Sequence, residues 1–331
     1  MLRSLNHVIQ LFLALAMALA LVAAVACGGG DDEEDATATP EATAEETPEG
    51  GEQIGEESVI VDQAFWHAGW KVTLGEATQS ATDTGGGELF IEAEFENLGT
   101  DEAIFDSQLL VTSAGNDYAD ETFEGNDLPT VPGLRTGDGS FSFVVDDEFV
   151  LDEATLIIGN PVNQQATVPL GAEGEELVSL EPVDIAAAGT ATAGAVTLTI
   201  EGAELRADLP EKHSQMKAGK LAMIVSFSAT PGTGIQIGQG VLQSENVLLE
   251  LPDGTAVAVI SDGVSGVNEL LQGKEGTTIP DLVVRFEVEE PVEGAYAFVV
   301  RGNYGPSGAD AEGKFAFVVP AAGTGTPTPK P

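Results

Sequence analysis

The chain has 331 residues and carries 12 basic against 55 acidic side chains, a formal net charge of −43 at pH 7. This balance excludes a nucleic-acid-binding protein, because phosphate recognition needs a Lys/Arg footprint, and it disfavours direct docking on anionic lipid headgroups. The length allows two domains of ordinary size. Cys27 is the only cysteine, so both cores must be stable without disulfides.

The first 26 residues are typical of an export signal. Arg3 lies in a short polar start, and an apolar run of 16 residues extends from Leu11 to Ala26. A basic start, an apolar run and small residues before a cleavage point form a signal peptide. The run is shorter than the roughly 17–25 residues that a membrane-spanning helix needs.

The cleavage region Ala24-Val25-Ala26-Cys27 resembles the bacterial lipobox, with Ala24 where leucine is usual. A lone cysteine in an exported chain also needs an explanation, although ordinary signal cleavage beside an incidental cysteine is the alternative. The resemblance implies a diacylglyceryl group on Cys27. We therefore expect an extracytoplasmic protein that contacts the cell membrane through its lipid anchor only. Two acyl chains suffice for stable anchoring.

Residues 27–57 form an acidic segment without basic or aromatic side chains. Such a composition predicts a disordered tether that its own charge extends. The acid run Asp31–Asp35 lacks the alternate spacing of a calcium loop, so the segment is interpreted as a solvated spacer.

From residue 58 the apolar pattern has period two, which predicts β-strands. One half-buried strand is expected over Trp66–Leu74, with its even positions in the core and His67 on the polar surface. A second over Leu89–Glu96 places Glu side chains outward, and turn residues follow at Asn97–Asp101. Further strands are predicted at Gln108–Thr112, Ser140–Val145, Thr155–Ile158 and Ala166–Leu170. Short strands between turns favour a β-sandwich over residues 58–172.

The same landmarks return in order over residues 177–320, which indicates a duplication. Ala68–Leu74 corresponds to Ala193–Thr199, the strand at Leu89 to Leu221–Phe227, Val131–Leu134 to Ile279–Leu282, and Val150–Gly159 to Val292–Gly302. The boundary is placed in the Gly/Glu-rich stretch 171–176. A short helix is expected at Val267–Gln272, and residues 321–331 are predicted to be a flexible Thr/Pro tail. The predicted fold is all-β, with two tandem immunoglobulin-like β-sandwich domains.

Residues 58–170 are similar to the immunoglobulin-like domain of uncharacterised bacterial lipoproteins. The matching features are the strand that ends Phe95–Gly99, then Pro132-Gly133 before Phe141–Val145, and the run Phe149–Gly159. The second unit matches only loosely. The resemblance implies an extracytoplasmic β-sandwich and brings no catalytic residues.

Candidate metal ligands come from two acidic loops. Oxygen-rich loops suit calcium, and they contain Asp117, Asp120, Glu121, Asp146 and Asp147. Calcium is the one cofactor considered, and none is required by the sequence. Catalysis is not expected. His67 and His213 belong to no HExxH or GxSxG motif, and a hydrolase built on paired carboxylates would need a defined cleft.

Basic residues concentrate in one place, at Arg206, Lys212, Lys217 and Lys220. They are interpreted either as a solvated loop or as a partner-binding patch for the acidic first unit or an anionic partner. The function that the sequence favours is a cell-surface lipoprotein that presents two domains for binding an unknown protein or for envelope structure. The alternative is an extracytoplasmic binding protein for a small solute or calcium, using loops at a sandwich end.

Overall fold

The computed structural model describes residues 56–81, 86–119, 126–235, 240–261, 267–305 and 308–320. All of them belong to one compact unit, Glu52–Pro331. The predicted signal peptide, Cys27, the tether, the tail, Asp120 and Glu121 lie outside the described residues. Below, residues 56–176 are the first half and residues 177–320 the second half.

The first half is built from strands that alternate between buried and exposed side chains. Its strands are β1 (Glu57–His67), β2 (Trp70–Ala81), β3 (Gly87–Asn97), β4 (Ala103–Ile104), β5 (Leu109–Ser113), β6 (Asn116–Ala119), β7 (Thr130–Val131), β8 (Thr136–Val145), β9 (Thr155–Ile158) and β10 (Ala166–Pro169). Two antiparallel sheets have the orders β1-β2-β3-β8 and β10-β9-β5-β6, and β4 pairs with β7. A 3₁₀ helix at Leu151–Glu153 precedes β9.

The second half has the same kind of architecture. Its strands are β11 (Val183–Ile185), β12 (Gly189–Ala193), β13 (Val196–Arg206), β14 (Asp208–Leu209), β15 (Ser214–Gln215), β16 (Lys220–Pro231), β17 (Val241–Gln243), β18 (Val247–Glu250), β19 (Ala256–Ala258), β20 (Asn268–Leu270), β21 (Ile279–Glu289), β22 (Gly294–Gly302) and β23 (Ala311–Val319). One sheet has the order β11-β13-β16-β21 with β12 also on β13, and the other β19-β18-β22-β23. Short 3₁₀ helices occupy Pro210–Lys212 and Ser244–Asn246.

Each half encloses its own hydrophobic core between its two main sheets. The first core runs from Val61 to Leu170 and the second from Ile185 to Val319. In the first, Trp70 packs edge-on against Phe95 and Phe105, with ring centroids 6.3 and 6.2 Å apart. The all-β sandwich prediction is confirmed, while the assignment of the two halves as separate domains stays a prediction.

The two halves share one strand order. The sheet β1-β2-β3-β8 corresponds to β12-β13-β16-β21, and the sheet β10-β9-β5-β6 corresponds to β23-β22-β18-β19. A register shift follows the fifth residue of both β2 and β13, after Leu74 and after Ile200. Three of the four landmark pairs of the duplication fall on matching strands, whereas Val131–Leu134 covers the end of β7 and the turn before β8 and its counterpart Ile279–Leu282 lies within β21. The shared strand order supports the duplication that the sequence indicates.

Two local predictions are wrong. The expected single strand at Trp66–Leu74 is a hairpin, because Ala68 and Gly69 adopt φ of 49° and 83° and reverse the chain. Within the expected helix Val267–Gln272, Asn268–Leu270 instead form strand β20, which pairs with β17. Val267 and Leu271, on either side of that strand, are buried. No helix among the described residues combines the length and apolarity needed to cross a membrane.

Candidate functional site

The predicted calcium ligands do not converge on one point in the part of the chain that is described. Tyr118 on β6 is buried and donates a hydrogen bond from Oη to Asp146 Oδ1 at 2.7 Å. Its neighbour Asp117 is exposed on the opposite face of β6, since side chains alternate along a strand. No group of three or more His, Cys, Asp or Glu side chains that could hold a metal ion occurs among the described residues.

Asp146 instead has a structural partner. Burial, together with the hydrogen bond to Asp146, raises the pKa of Tyr118 to about 12. The same carboxylate oxygen accepts a hydrogen bond from the backbone N–H of Glu148 at 3.0 Å. Asp146 therefore fixes the turn after β8 against the buried tyrosine. Asp147 is exposed in that turn, and calcium binding stays a prediction.

The basic residues of the second half lie on a segment that we call the arm, Arg206–Lys220. Arg206 is only 9% exposed, and its Nε donates to Asp208 Oδ1 at 2.8 Å while Nη1 contacts Glu204 Oε1 at 3.2 Å. Burial alone would lower the pKa of the Arg206 guanidinium. The carboxylates of Asp208 and Glu204 have the larger combined effect, so the pKa is raised. The prediction that Arg206 binds an external partner is wrong, because the side chain is buried in pairs within the chain.

Lys220 is likewise paired inside the second half, with Glu287 and Glu289. Lys212 and Lys217 are exposed. The four basic residues thus fall into two groups. Arg206 and Lys220, at the ends of the arm, are paired with carboxylates, and Lys212 and Lys217, between them, are exposed to solvent. They do not form a single charged patch.

The arm docks on the first half through hydrogen bonds rather than through its charges. Asp208 Oδ2 accepts from the Gly69 backbone N–H at 2.7 Å, and Gln215 Oε1 accepts from the Ala68 N–H at 2.7 Å. Backbone groups continue the contact, with Gln164 N donating to Met216 O at 2.8 Å and Ala218 N donating to Val162 O at 3.1 Å. Among the described residues, these contacts to the first half come from Asp208, Gln215 and backbone groups, and a partner-binding role of the basic side chains stays a prediction.

Two glycines of the first half make room for the arm. His213 follows the 3₁₀ helix in a left-handed conformation, φ 45°, and its ring centroid lies 5.7 Å from that of Trp70. A Cβ on Gly99 would lie 2.7 Å from His213 Nε2, and a Cβ on Gly69 would lie 2.8 Å from the carbonyl oxygen of Pro210. Any larger residue at Gly69 or Gly99 would push the arm away from Trp70.

His67 lies at the same junction and corrects the sequence prediction. It is 4% exposed rather than on the surface, because the Ala68-Gly69 turn breaks the strand alternation on which that prediction relied. Nδ1 is buried without a hydrogen-bond partner among the described residues. Burial lowers the pKa of His67 to about 4, against the weaker attraction of Asp208 for the charged form.

The outer surface of the first sheet, β1-β2-β3-β8, carries a group of exposed carboxylates. We call it the acidic face. It is an open depression of about 640 Å³ that Phe90 lines together with five carboxylates, those of Asp62, Glu92, Glu94, Asp127 and Asp138. Phe90 is 40% exposed, and Val144, diagonal to it on β8, is 83% exposed. No lysine, arginine or histidine is among its described lining residues.

Sequence reasoning identified the outward glutamates of β3 but missed both the acidic face and the junction. The alternation over Leu89–Glu96 correctly predicts which side of β3 is exposed. The other residues of the acidic face could not be assigned from the sequence, because they lie beside β3 only through a strand register that the sequence does not give. For the junction, the only signal was Gly69 beside the tryptophan and Gly99 in the turn after β3. Neither glycine indicates by itself which segment approaches it.

Comparison with known proteins gives little further information. No protein-family model matches the sequence, and no curated protein matches it. A crystal structure of a conserved hypothetical protein from Bacillus anthracis is similar to part of the chain, with 12% identity and a TM-score of 0.27. The match covers 35% of this chain and 99% of the other.

Proposed function

We propose that the protein is an extracytoplasmic lipoprotein, anchored through Cys27, that binds a basic protein partner on its acidic face and is not an enzyme. The observation that carries the proposal is the combination of Phe90 with five carboxylates on one exposed sheet surface. A lysine or arginine side chain is attracted both by an aromatic ring face and by carboxylates around it. Charge complementarity of this kind steers encounter and selects the partner.

The junction supports the proposal because its hydrogen bonds hold the residues just before β2 in place. The arm contributes hydrogen bonds to Ala68, Gly69 and Gln164, and the side chain of Asp208 that makes one of them is only 2% exposed. β2, which begins at Trp70 directly after these contacts, runs across the sheet that carries the acidic face. A face held in place before binding loses less conformational entropy when a partner docks.

The signal sequence supports the location. The residues before Cys27 match a lipobox apart from Ala24, and a diacylglyceryl cysteine would retain the protein at the membrane. We expect the Cys27→Ala chain to be released from membranes, whereas the unchanged chain stays in the membrane fraction. An unchanged distribution of the variant would contradict the anchor.

The binding proposal is tested by photocrosslinking in the native envelope. A photoreactive phenylalanine analogue replaces Phe90 in one chain and Val318, an exposed apolar residue of β23 that is 65% exposed, in a control chain. We expect a discrete adduct from position 90 whose yield falls in high salt, because screening weakens exposed charge attraction. Equal adducts from both positions, or an adduct at 90 insensitive to Glu92→Gln and Glu94→Gln, would overturn the proposal.

A further inference from the structure

A second concave site lies within the second half, beside the connector 177–182 that precedes β11, and away from the acidic face. It is a cleft of about 650 Å³ bounded by the connector between the halves, the end of β13, the turn between β21 and β22, and the end of β23. Leu180 of the connector lines it and also packs against the first core. Its volume falls within the usual range of small-ligand sites, about 300–1,000 Å³.

The walls of the cleft are apolar. Leu205 and Leu221 line it from β13 and β16, and Val292 lines it from the β21–β22 turn. Val183 on the short strand β11 also faces it and is 52% exposed. Apolar side chains left open to water in a concavity are stabilised when an apolar ligand covers them.

The charged residues of the cleft are all acidic. Glu181, Glu290 and Glu293 line it and are exposed, and none of the three takes part in an ion pair among the described residues. No lysine, arginine or histidine is found among its described lining residues. A cationic group placed near these carboxylates would be attracted with no competing base.

We propose that this cleft binds a small amphipathic cation, with the apolar body against Leu205, Leu221 and Val292 and a protonated amine at the carboxylates. The pattern of apolar walls with a few charged groups is that of a ligand site in which the polar groups fix orientation. The proposal does not depend on the acidic face, which lies on the first sheet and shares no lining residue with the cleft.

The test uses titration calorimetry on the chain from residue 52 to 331, the compact unit without its anchor. The probe is octylammonium, compared with octyl sulfate and octanol below their micelle concentrations. We expect saturable one-to-one binding of octylammonium at least ~10-fold tighter than that of octyl sulfate, since only the ammonium meets carboxylates of opposite sign. Equal affinity for the three probes would overturn the cationic preference.

Variants separate the cleft from the general attraction of cations to a chain of net charge −43. The triple change Glu181→Gln, Glu290→Gln and Glu293→Gln is expected to weaken octylammonium binding at least ~5-fold. The control triple change Glu88→Gln, Glu92→Gln and Glu94→Gln removes the same charge from the exposed side of β3 and should leave the affinity unchanged. Equal losses in the two triples would show non-specific attraction and overturn the proposal.

Two more chains make the test independent of the carboxylates. Val183→Arg places a bulky cation in the cleft and is expected to abolish binding, with a melting curve showing that the fold persists. A chain that ends at Pro320, which lines the cleft, is expected to bind as the longer chain does. If only the shortened chain bound octylammonium, the C-terminal tail would be the occupant and the proposal would fail.

Discussion

Replacing His67 tests whether the junction is buried as the structure shows. Burial lowers the pKa of His67 from 6.5 to about 4, so the unfolded chain binds a proton between these pH values and the folded chain does not. Stability must then rise with pH across this window and fall as the medium becomes acidic. One pKa unit corresponds to about 1.4 kcal/mol, so acidification from about pH 7.5 to about pH 5.0 should remove ~2 kcal/mol through this one side chain.

The assay is urea unfolding of the unchanged chain and of His67→Gln at both pH values, with linear extrapolation to water. Many carboxylates also begin to titrate near the lower pH, and they contribute equally to both chains. The difference between the two pH dependences therefore isolates His67. We expect the His67→Gln chain to lose ~2 kcal/mol less on acidification than the unchanged chain does. Parallel pH dependences would refute the buried, neutral imidazole and with it the packing of the junction.

Three further predictions concern the residues around that histidine. Gly99→Ala places a Cβ against His213 and should loosen the arm, which would be seen as faster tryptic cleavage at the exposed Lys212 and Lys217. The control Gly202→Ala, whose Cβ would meet nothing within 4 Å, should not change the cleavage rate. Equal cleavage of both variants would contradict docking. Asp208→Ala removes the closer of the two carboxylates that pair with the buried Arg206 charge and should lower the free energy of unfolding by about 3–5 kcal/mol. The exposed Glu201→Ala should lower it by less than ~0.5 kcal/mol, and both values are read from urea midpoints. Asn97→Ala removes a buried amide whose Nδ2 donates to Asp101 O and Val131 O and whose Oδ1 accepts from the Gly99 N–H. A thermal melt should show a destabilisation of about 2–3 kcal/mol. An unchanged melting temperature would argue against this network.

The strands were predictable because their burial follows a local rule. Along β3 the side chains of Leu89, Ile91, Ala93 and Phe95 are buried, and the glutamates between them are exposed. A period of two in the sequence is enough to predict this. The repeated order of landmarks was readable for the same reason, because it rests on the same apolar pattern, and the duplication that it indicates stays a prediction. The resulting sheet order agrees in the two halves.

The junction was not predictable, because its contacts join residues about 140 positions apart. Asp208 and Gly69 are separated by 139 residues, and Gln215 and Ala68 by 147. Nothing in the neighbourhood of Asp208 distinguishes this buried carboxylate from the exposed ones of an acidic chain. His67 was misplaced by a purely local error, because the alternation was carried through a turn whose second residue is a glycine.

The two halves differ in which segment contacts the turn of one hairpin, the β1–β2 hairpin of the first half and the equivalent β12–β13 hairpin of the second. In the second half the turn contacts Tyr304, a residue of the same half. The Ala195 N–H donates to Tyr304 O at 2.7 Å, and a Cβ on Gly194 would lie 2.4 Å from that oxygen. Tyr304 itself is 1% exposed. In the first half the corresponding N–H groups, those of Ala68 and Gly69, are satisfied by the side chains of Gln215 and Asp208 from the other half.

This difference makes the first half dependent on the second. Without the arm, the N–H groups of Ala68 and Gly69 would lose their partners and the face of Trp70 now covered by His213 would be open to water. Unsatisfied backbone donors and uncovered aromatic surface both destabilise a fold. The hairpin of the second half thus receives from Tyr304 of the same half the contact that the hairpin of the first half receives from the arm.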